Sequence, residues 1–146
     1  MNQAGGAGDS PARKLEELDR EECLRLIAPG GVGRVAFDDG EGPAIMPVNY
    51  TLDGESVVFR TAITGRLTQS LSTVLESAQV RIAFEVDAID ETERAGWSVL
   101  LRGGAHRMSE EECARSADVT PWPAGEREAY IKMNATAVSG RRLLPA

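Results

Sequence analysis

The alternation of apolar and polar positions divides this chain into short strands with a few helices between them. Leu24 and Ile27 lie on one helical face just after Asp19, a natural N-cap, with Glu22 three residues on and Leu18 placed to staple against Cys23. Pro29-Gly30-Gly31 ends that helix. Val32 to Phe37 reads as a strand, Asp38 to Gly42 as a turn, and Ala44 to Leu52 as an extended segment interrupted by Pro47. Proline cannot donate to a ladder, so Pro47 belongs at an edge, a bulge or a ligand-facing opening. Asp53-Gly54 marks a hairpin turn that returns as Ser56 to Thr61.

Leu67, Leu71, Val74 and Leu75 predict a helix over 66–77, and Val80, Ile82, Phe84 and Val86 share one face of a strand over 79–86. Ala88 to Ala95 reads as a charged loop. Gly96 to Met108 is a long strand in which Gly103-Gly104 suggests a bulge. Ser109 caps a short helix with Glu112 as its box partner, Thr120-Pro-Trp-Pro123 is a rigid turn, and Ala129 to Ser139 is a last strand. This order predicts a mainly β fold with flanking helices. Consecutive hairpins imply antiparallel pairing, and six strands in a chain of 146 residues can close into a barrel. The expected organisation is a disordered tail over 1–12 and a single domain over 13–146.

Charge narrows the partners. A formal net charge of -7 argues against nucleic acid or an anionic membrane surface, each of which needs a broad basic footprint. A small anion needs only a local basic pocket. No segment reaches transmembrane length and the start lacks a signal-peptide core, so a cytoplasmic location is expected. Cys23 and Cys113 sit in helices beside acidic residues, the setting of unreactive free thiols. Asp87, Asp90, Glu91 and Glu93 lack the order and glycine of a calcium loop, and no metal is expected.

The donor-rich stretch is Val57 to Leu67, a strand running through a polar loop into a helix. Arg60, Thr61, Thr64, Gly65 and Arg66 gather there. A helix N-terminus offers free N–H groups and partial positive charge, and arginine suits a phosphate dianion, so these residues predict a phosphate grip for a mononucleotide. Trp97, Trp122 and the lone His106 have packing as their commoner role.

Several stretches together resemble the pyridoxamine 5′-phosphate oxidase-like superfamily of split β-barrel flavoproteins, nearest its nitroimidazole-resistance-type branch. They are Glu22 to Ile27 with Gly31 to Phe37, Met46 to Tyr50, Val57 to Thr61 with Thr64 to Leu67, Phe84 to Asp87, Gly96 to Val99, and Pro121 to Pro123 with the terminal Gly140-Arg141-Arg142. The resemblance implies a six-stranded antiparallel split barrel and a homodimer with flavin mononucleotide (FMN) at the interface. It places the phosphate at Arg60, Thr61, Thr64, Gly65 and Arg66. The flavin ring would lie along Pro47, Val48, Asn49 and Tyr50, with Trp97 and Ser98 reaching the site from a later strand. The catalytic residues are left unassigned.

The chain departs from the family where Leu67 follows Arg66 in place of a second basic residue, and where Gly65 stands in place of a histidine. Arg141 and Arg142 do not reproduce the C-terminal pattern of the true oxidase. These differences argue against nitroimidazole reduction and vitamin B6 oxidation. The expectation is an FMN-dependent oxidoreductase acting on a small molecule. The alternatives are a deazaflavin enzyme, with Arg34, Arg60, Arg66 and Arg102 lining a longer groove, and a non-catalytic flavin-binding or sensor protein.

Overall fold

A computed structural model describes residues 14–62, 67, 79–115 and 128–145. The expected tail, most of the helix over 66–77 and the Pro-Trp-Pro turn lie outside these residues. Strand β1 (Leu15–Leu18) leads into helix α1 (Arg20–Ile27), followed by β2 (Gly31–Asp38), β3 (Pro43–Asp53) and β4 (Ser56–Ala62). After Leu67 come β5 (Val80–Asp90), β6 (Ala95–Arg107), helix α2 (Glu110–Arg115) and β7 (Glu128–Leu143). No helix among the described residues is long and apolar enough to cross a membrane.

Helices α1 and α2 begin as their sequences require. Asp19 Oδ1 accepts the Glu22 N–H at 2.9 Å. Ser109 and Glu112 form a reciprocal capping box, each backbone N–H reaching the other's side chain at 3.2 Å. Gly54, at φ 63, makes the tight β3–β4 turn with Glu55, so the two loop residues are Gly54-Glu55, one position later than expected.

The strands pair antiparallel in the order β7-β4-β3-β2-β5-β6, and β6 returns to β7, which closes a six-stranded barrel. Strand β7 does double duty. One edge pairs with β6 along nearly its whole length, while the other takes β4 against 128–134 and β1 against 140–143. Near the middle of β7 the register slips: Arg102 faces Ala137 but Gly103 faces Ala135. Thr136 is the extra residue, and its hydroxyl bonds the Arg102 carbonyl at 3.2 Å. This is the bulge that Gly103-Gly104 foreshadowed.

The barrel interior holds Val35, Phe37, Tyr50, Val57, Phe59, Ile82, Phe84, Val99, Leu101, Ile131 and Met133, capped by Cys23 and Ile27 of α1. Phe84 is central, edge-on to Tyr50 at 5.3 Å and stacked with Phe59 at 5.7 Å. Each such side chain stabilises the fold by roughly 1.5–3 kcal/mol through burial. Leu67 is also buried in this core.

One strand was not foreseen, and two expectations are corrected. The sequence Leu-Glu-Glu-Leu of β1 has little strand signal of its own and is held extended by the edge of β7. The expected loop over 88–95 is shorter, only the turn 91–94, because β5 and β6 stay paired as far as Asp90 and Ala95. The last strand runs on to Leu143 rather than stopping at Ser139.

Candidate functional site

The ladder between β3 and β4 is short. It pairs Asp53 to Tyr50 with Ser56 to Phe59 and stops there. Beyond this point β3 continues back to Pro43 on β2 alone, and β4 continues to Ala62 on β7 alone. The two strands therefore part between Asn49 and Arg60. Residues 43–49 of β3 and 60–62 of β4 are not paired with each other. Pro47, opposite Arg34 on β2, stands within the parted segment.

Side-chain alternation sorts the expected ring and phosphate residues into two sets. On β3, Val48 and Tyr50 turn to the core, whereas Pro47 is exposed and Asn49 half-buried on the outer face. Tyr50 is fully committed inside: its hydroxyl donates to the Ile27 carbonyl at 2.7 Å, and burial pushes the phenol up to about 12. Its side chain faces the interior, so a ligand on the outer face would meet only its backbone. On β4, Arg60 and Thr61 point to opposite faces. Arg60 shares the outer face, while Thr61 follows Phe59 toward the interior. An outer-face ligand meets the Arg60 side chain but only the backbone of Thr61. Thr64, Gly65 and Arg66 lie outside the described residues.

Arg60 has a partner that the sequence did not flag. It is the register neighbour of Tyr130 on β7, and its guanidinium lies over that ring, 5.1 Å from the centroid. A guanidinium over an aromatic face is attracted by the ring's quadrupole. The clue was the alternation Tyr130-Ile131-Lys132-Met133, which sets an aromatic and a cation on one face of the last strand. Tyr130 itself packs with Val58, Met108 and Cys113 beneath α2.

The same face carries a second polar group. Lys132 reaches Asp53 at 3.6 Å, and His106 Nε2 donates to Glu112 at 2.9 Å. The His106 bond is the main cause holding the Glu112 carboxyl below its usual range. His106 Nδ1 is buried with no hydrogen-bond partner among the described residues. The histidine thus ties α2 to the barrel wall.

Trp97 and Ser98 lie elsewhere. They pair with Arg142 and Arg141 at the far end of β7. Twelve positions separate Arg142 from Tyr130, about 40 Å of strand contour. One chain does not bring Trp97 or Ser98 to Arg60. Arg142 is engaged by Glu22 at 3.1 Å and Glu16 at 3.8 Å. Arg25 first, and then Arg142, pull the Glu22 carboxyl down to about 2. Burial raises both cysteine thiols above their ordinary range, so neither is an activated nucleophile.

The family model for pyridoxamine 5′-phosphate oxidase matches residues 19–142, from the cap of α1 to the end of β7. The chain belongs to this family. Protein Rv0080 of Mycobacterium tuberculosis is 33% identical over 140 residues, covering 94% of this chain and 91% of its own. The FAD binding protein of Mycobacterium smegmatis shares the fold at a TM-score of 0.66 and 24% identity, over 90% of this chain and 100% of that one. A candidate 5-nitroimidazole antibiotic resistance protein of Bacteroides thetaiotaomicron does so at a TM-score of 0.61 and 15% identity, over 90% and 89%. The barrel, the parted β3–β4 seam and Arg60 on Tyr130 are thus features of a pyridoxamine 5′-phosphate oxidase family member.

Proposed function

We propose that this chain binds flavin mononucleotide at the β3–β4 parting and passes electrons between the flavin and a small organic molecule. The observation that carries the reading is the parting of β3 from β4 beside an arginine that rests on an aromatic ring. Membership of the pyridoxamine 5′-phosphate oxidase family supports it, as does the FAD bound by the M. smegmatis protein of the same fold.

The donor set suits a flavin. Arg60 directs a guanidinium toward the outer face, where a phosphate would receive charge-assisted hydrogen bonds. The edge of β3 from Pro47 to Asn49 offers N–H and C=O groups to the polar rim of a ring. Inside, Phe59, Phe84 and Tyr50 form a rigid wall that keeps that edge in place. The flavin, when bound, supplies the two-electron chemistry, and the protein supplies orientation and electrostatics. No Gly-x-Gly-x-x-Gly fingerprint is present, so a nicotinamide donor would dock only transiently.

Two copies would complete the site. Trp97 and Ser98, remote from Arg60 in one chain, would be supplied by a second subunit in a homodimer. A mononucleotide also fits better than a deazaflavin with a long acidic tail. Arg34 is occupied by Glu85 at 3.3 Å and Asp87 at 3.4 Å. Arg102 faces Ala137, seven positions from Tyr130 and roughly 20 Å along β7. These arginines do not line one groove with Arg60.

The test is the absorption spectrum of the purified protein, followed by denaturation and identification of the released compound. Oxidised-flavin bands with FMN released, weakened in Arg60→Ala, are expected. A colourless protein that takes up no added FMN sinks the reading, and release of FAD or a deazaflavin redirects it.

A further inference from the structure

A cleft of about 440 Å³ opens where the turn between β5 and β6 meets β1 and the end of β7. Sites for small organic ligands commonly fall in this size range. Its walls are largely apolar, built from Leu15, Ile89, Trp97 and Leu143. Leu15 and Ile89 are 56% and 62% exposed, two of the three most exposed large apolar side chains among the described residues. Isolated exposed aliphatic side chains are ordinary, but two of them converging on one concavity with a tryptophan leave apolar surface for a ligand to cover.

The polar groups of the cleft are few. Arg94 comes from the turn, where it holds a φ of 52 that non-glycine residues rarely adopt. Arg141 comes from β7, between Ser98 on β6 and Glu17 on β1. Its neighbour Arg142 is clamped by two glutamates, whereas Arg141 makes no ion pair among the described residues. Of the two carboxylates at the cleft, Asp90 accepts the Glu93 N–H at 3.0 Å and so braces the turn, and Glu91 lies exposed on the turn itself.

We propose that this cleft binds a small organic anion with a flat apolar body, its carboxylate on Arg141 and its ring against Trp97. A guanidinium binds a carboxylate through paired N–H donors, and an indole offers a flat face for a ring. As a binding site the cleft needs only this chain. That its occupant is the substrate of the flavin rests on the dimer reading above, in which Trp97 and Ser98 reach the flavin of the second copy.

The experiment is calorimetric titration of the full chain with 1-naphthoate and with the neutral 1-naphthalenemethanol, before and after saturation with FMN. One naphthoate per chain is expected, with the alcohol about tenfold weaker or more, the usual discrimination from a charge-assisted hydrogen bond. Arg141→Gln should reduce naphthoate to the level of the alcohol, and Leu15→Asp should weaken both. Arg141 and Leu15 are exposed, so both variants are expected to fold, and their melting temperatures verify it. Equal binding of the two probes, no binding, or an Arg141→Gln variant that binds like wild type would overturn the proposal. Displacement of naphthoate by FMN mole for mole would also overturn it, since the cleft would then be part of the cofactor's own seat. Arg141-dependent naphthoate binding in a protein that takes up no FMN would support the cleft and refute the flavin reading separately.

Discussion

The guanidinium of Arg60 rests on the ring of Tyr130, 5.1 Å from its centroid, across the β4–β7 ladder just where β4 has left β3. A long cation that would otherwise sample many rotamers is thereby fixed at the edge of an open seam. Two substitutions separate charge from positioning. Arg60→Ala removes the charged donor and should weaken FMN by about tenfold to a hundredfold, the usual worth of a charge-assisted hydrogen bond. Tyr130→Leu keeps the charge but frees the side chain, and a smaller loss is expected. Flavin fluorescence quenching on titration measures both, and equal affinity in all three proteins would remove Arg60 from the site.

Tyr50 poses the opposite case, a residue expected beside the ring that the barrel keeps for itself. Its hydroxyl bonds the Ile27 carbonyl at 2.7 Å, joining β3 to the end of α1. Gly30 N–H bonds the same carbonyl at 3.1 Å, so Tyr50→Phe leaves that oxygen with a partner. The expected cost is therefore modest, about 1 kcal/mol, with a fall in Tm of roughly 2–4 °C. FMN affinity should be unchanged. A large affinity loss with an unaltered Tm would place the phenol at the ligand after all.

Much of the barrel was legible because its strands alternate cleanly and its turns and caps use strongly biased residues. Val80, Ile82, Phe84 and Val86 could face only one way, and Asp19 and Ser109 had their acceptor-box partners in place. Strand β1 was illegible because Leu-Glu-Glu-Leu carries no strand signal. Only the vacant edge of β7, more than 120 residues away, makes it extended. The site was half legible for a related reason. Residue types pointed to Arg60 and Pro47, but strand alternation sends Val48, Tyr50 and Thr61 to the other face. The Tyr130 partnership depends on the β4–β7 register, which one strand's sequence does not encode.

Gly103 is where the closing seam is most vulnerable. A Cβ built there would lie 1.8 Å from the Asn134 carbonyl oxygen, a backbone atom that cannot swing aside. The bulge around Thr136 already takes up the register slip at this place, leaving little freedom to yield. Gly103→Ala should therefore open the β6–β7 seam and destabilise the protein by more than about 3 kcal/mol, a loss reserved for forced clashes and broken networks. Gly40→Ala is the control, because its Cβ would meet nothing within 4 Å and only its φ of 93 opposes the change. Urea midpoints of the two variants decide the matter: comparable small shifts would mean that the seam adapts.

Glu85 gives the fold a pH dependence of definite sign. Partial burial and then the adjacent Asp87 push its carboxyl up to about 7, only partly opposed by Arg34 at 3.3 Å. The unfolded chain ionises this group near 4.5. The native state therefore holds a proton that the unfolded state has already released, and its relative stability declines as pH rises between these two values. Below that window Glu85 is neutral in both states and contributes no penalty. Above it the penalty is complete. Glu85→Gln, which stays neutral throughout, should raise Tm at pH 8 by a few °C and leave it nearly unchanged at pH 4. Asp87→Asn should act in the same direction by removing the neighbouring charge that holds the proton on Glu85. Melting curves at the two pH values provide the check. A Glu85→Gln gain of equal size at both would show that the benefit comes from packing rather than from the carboxyl's charge.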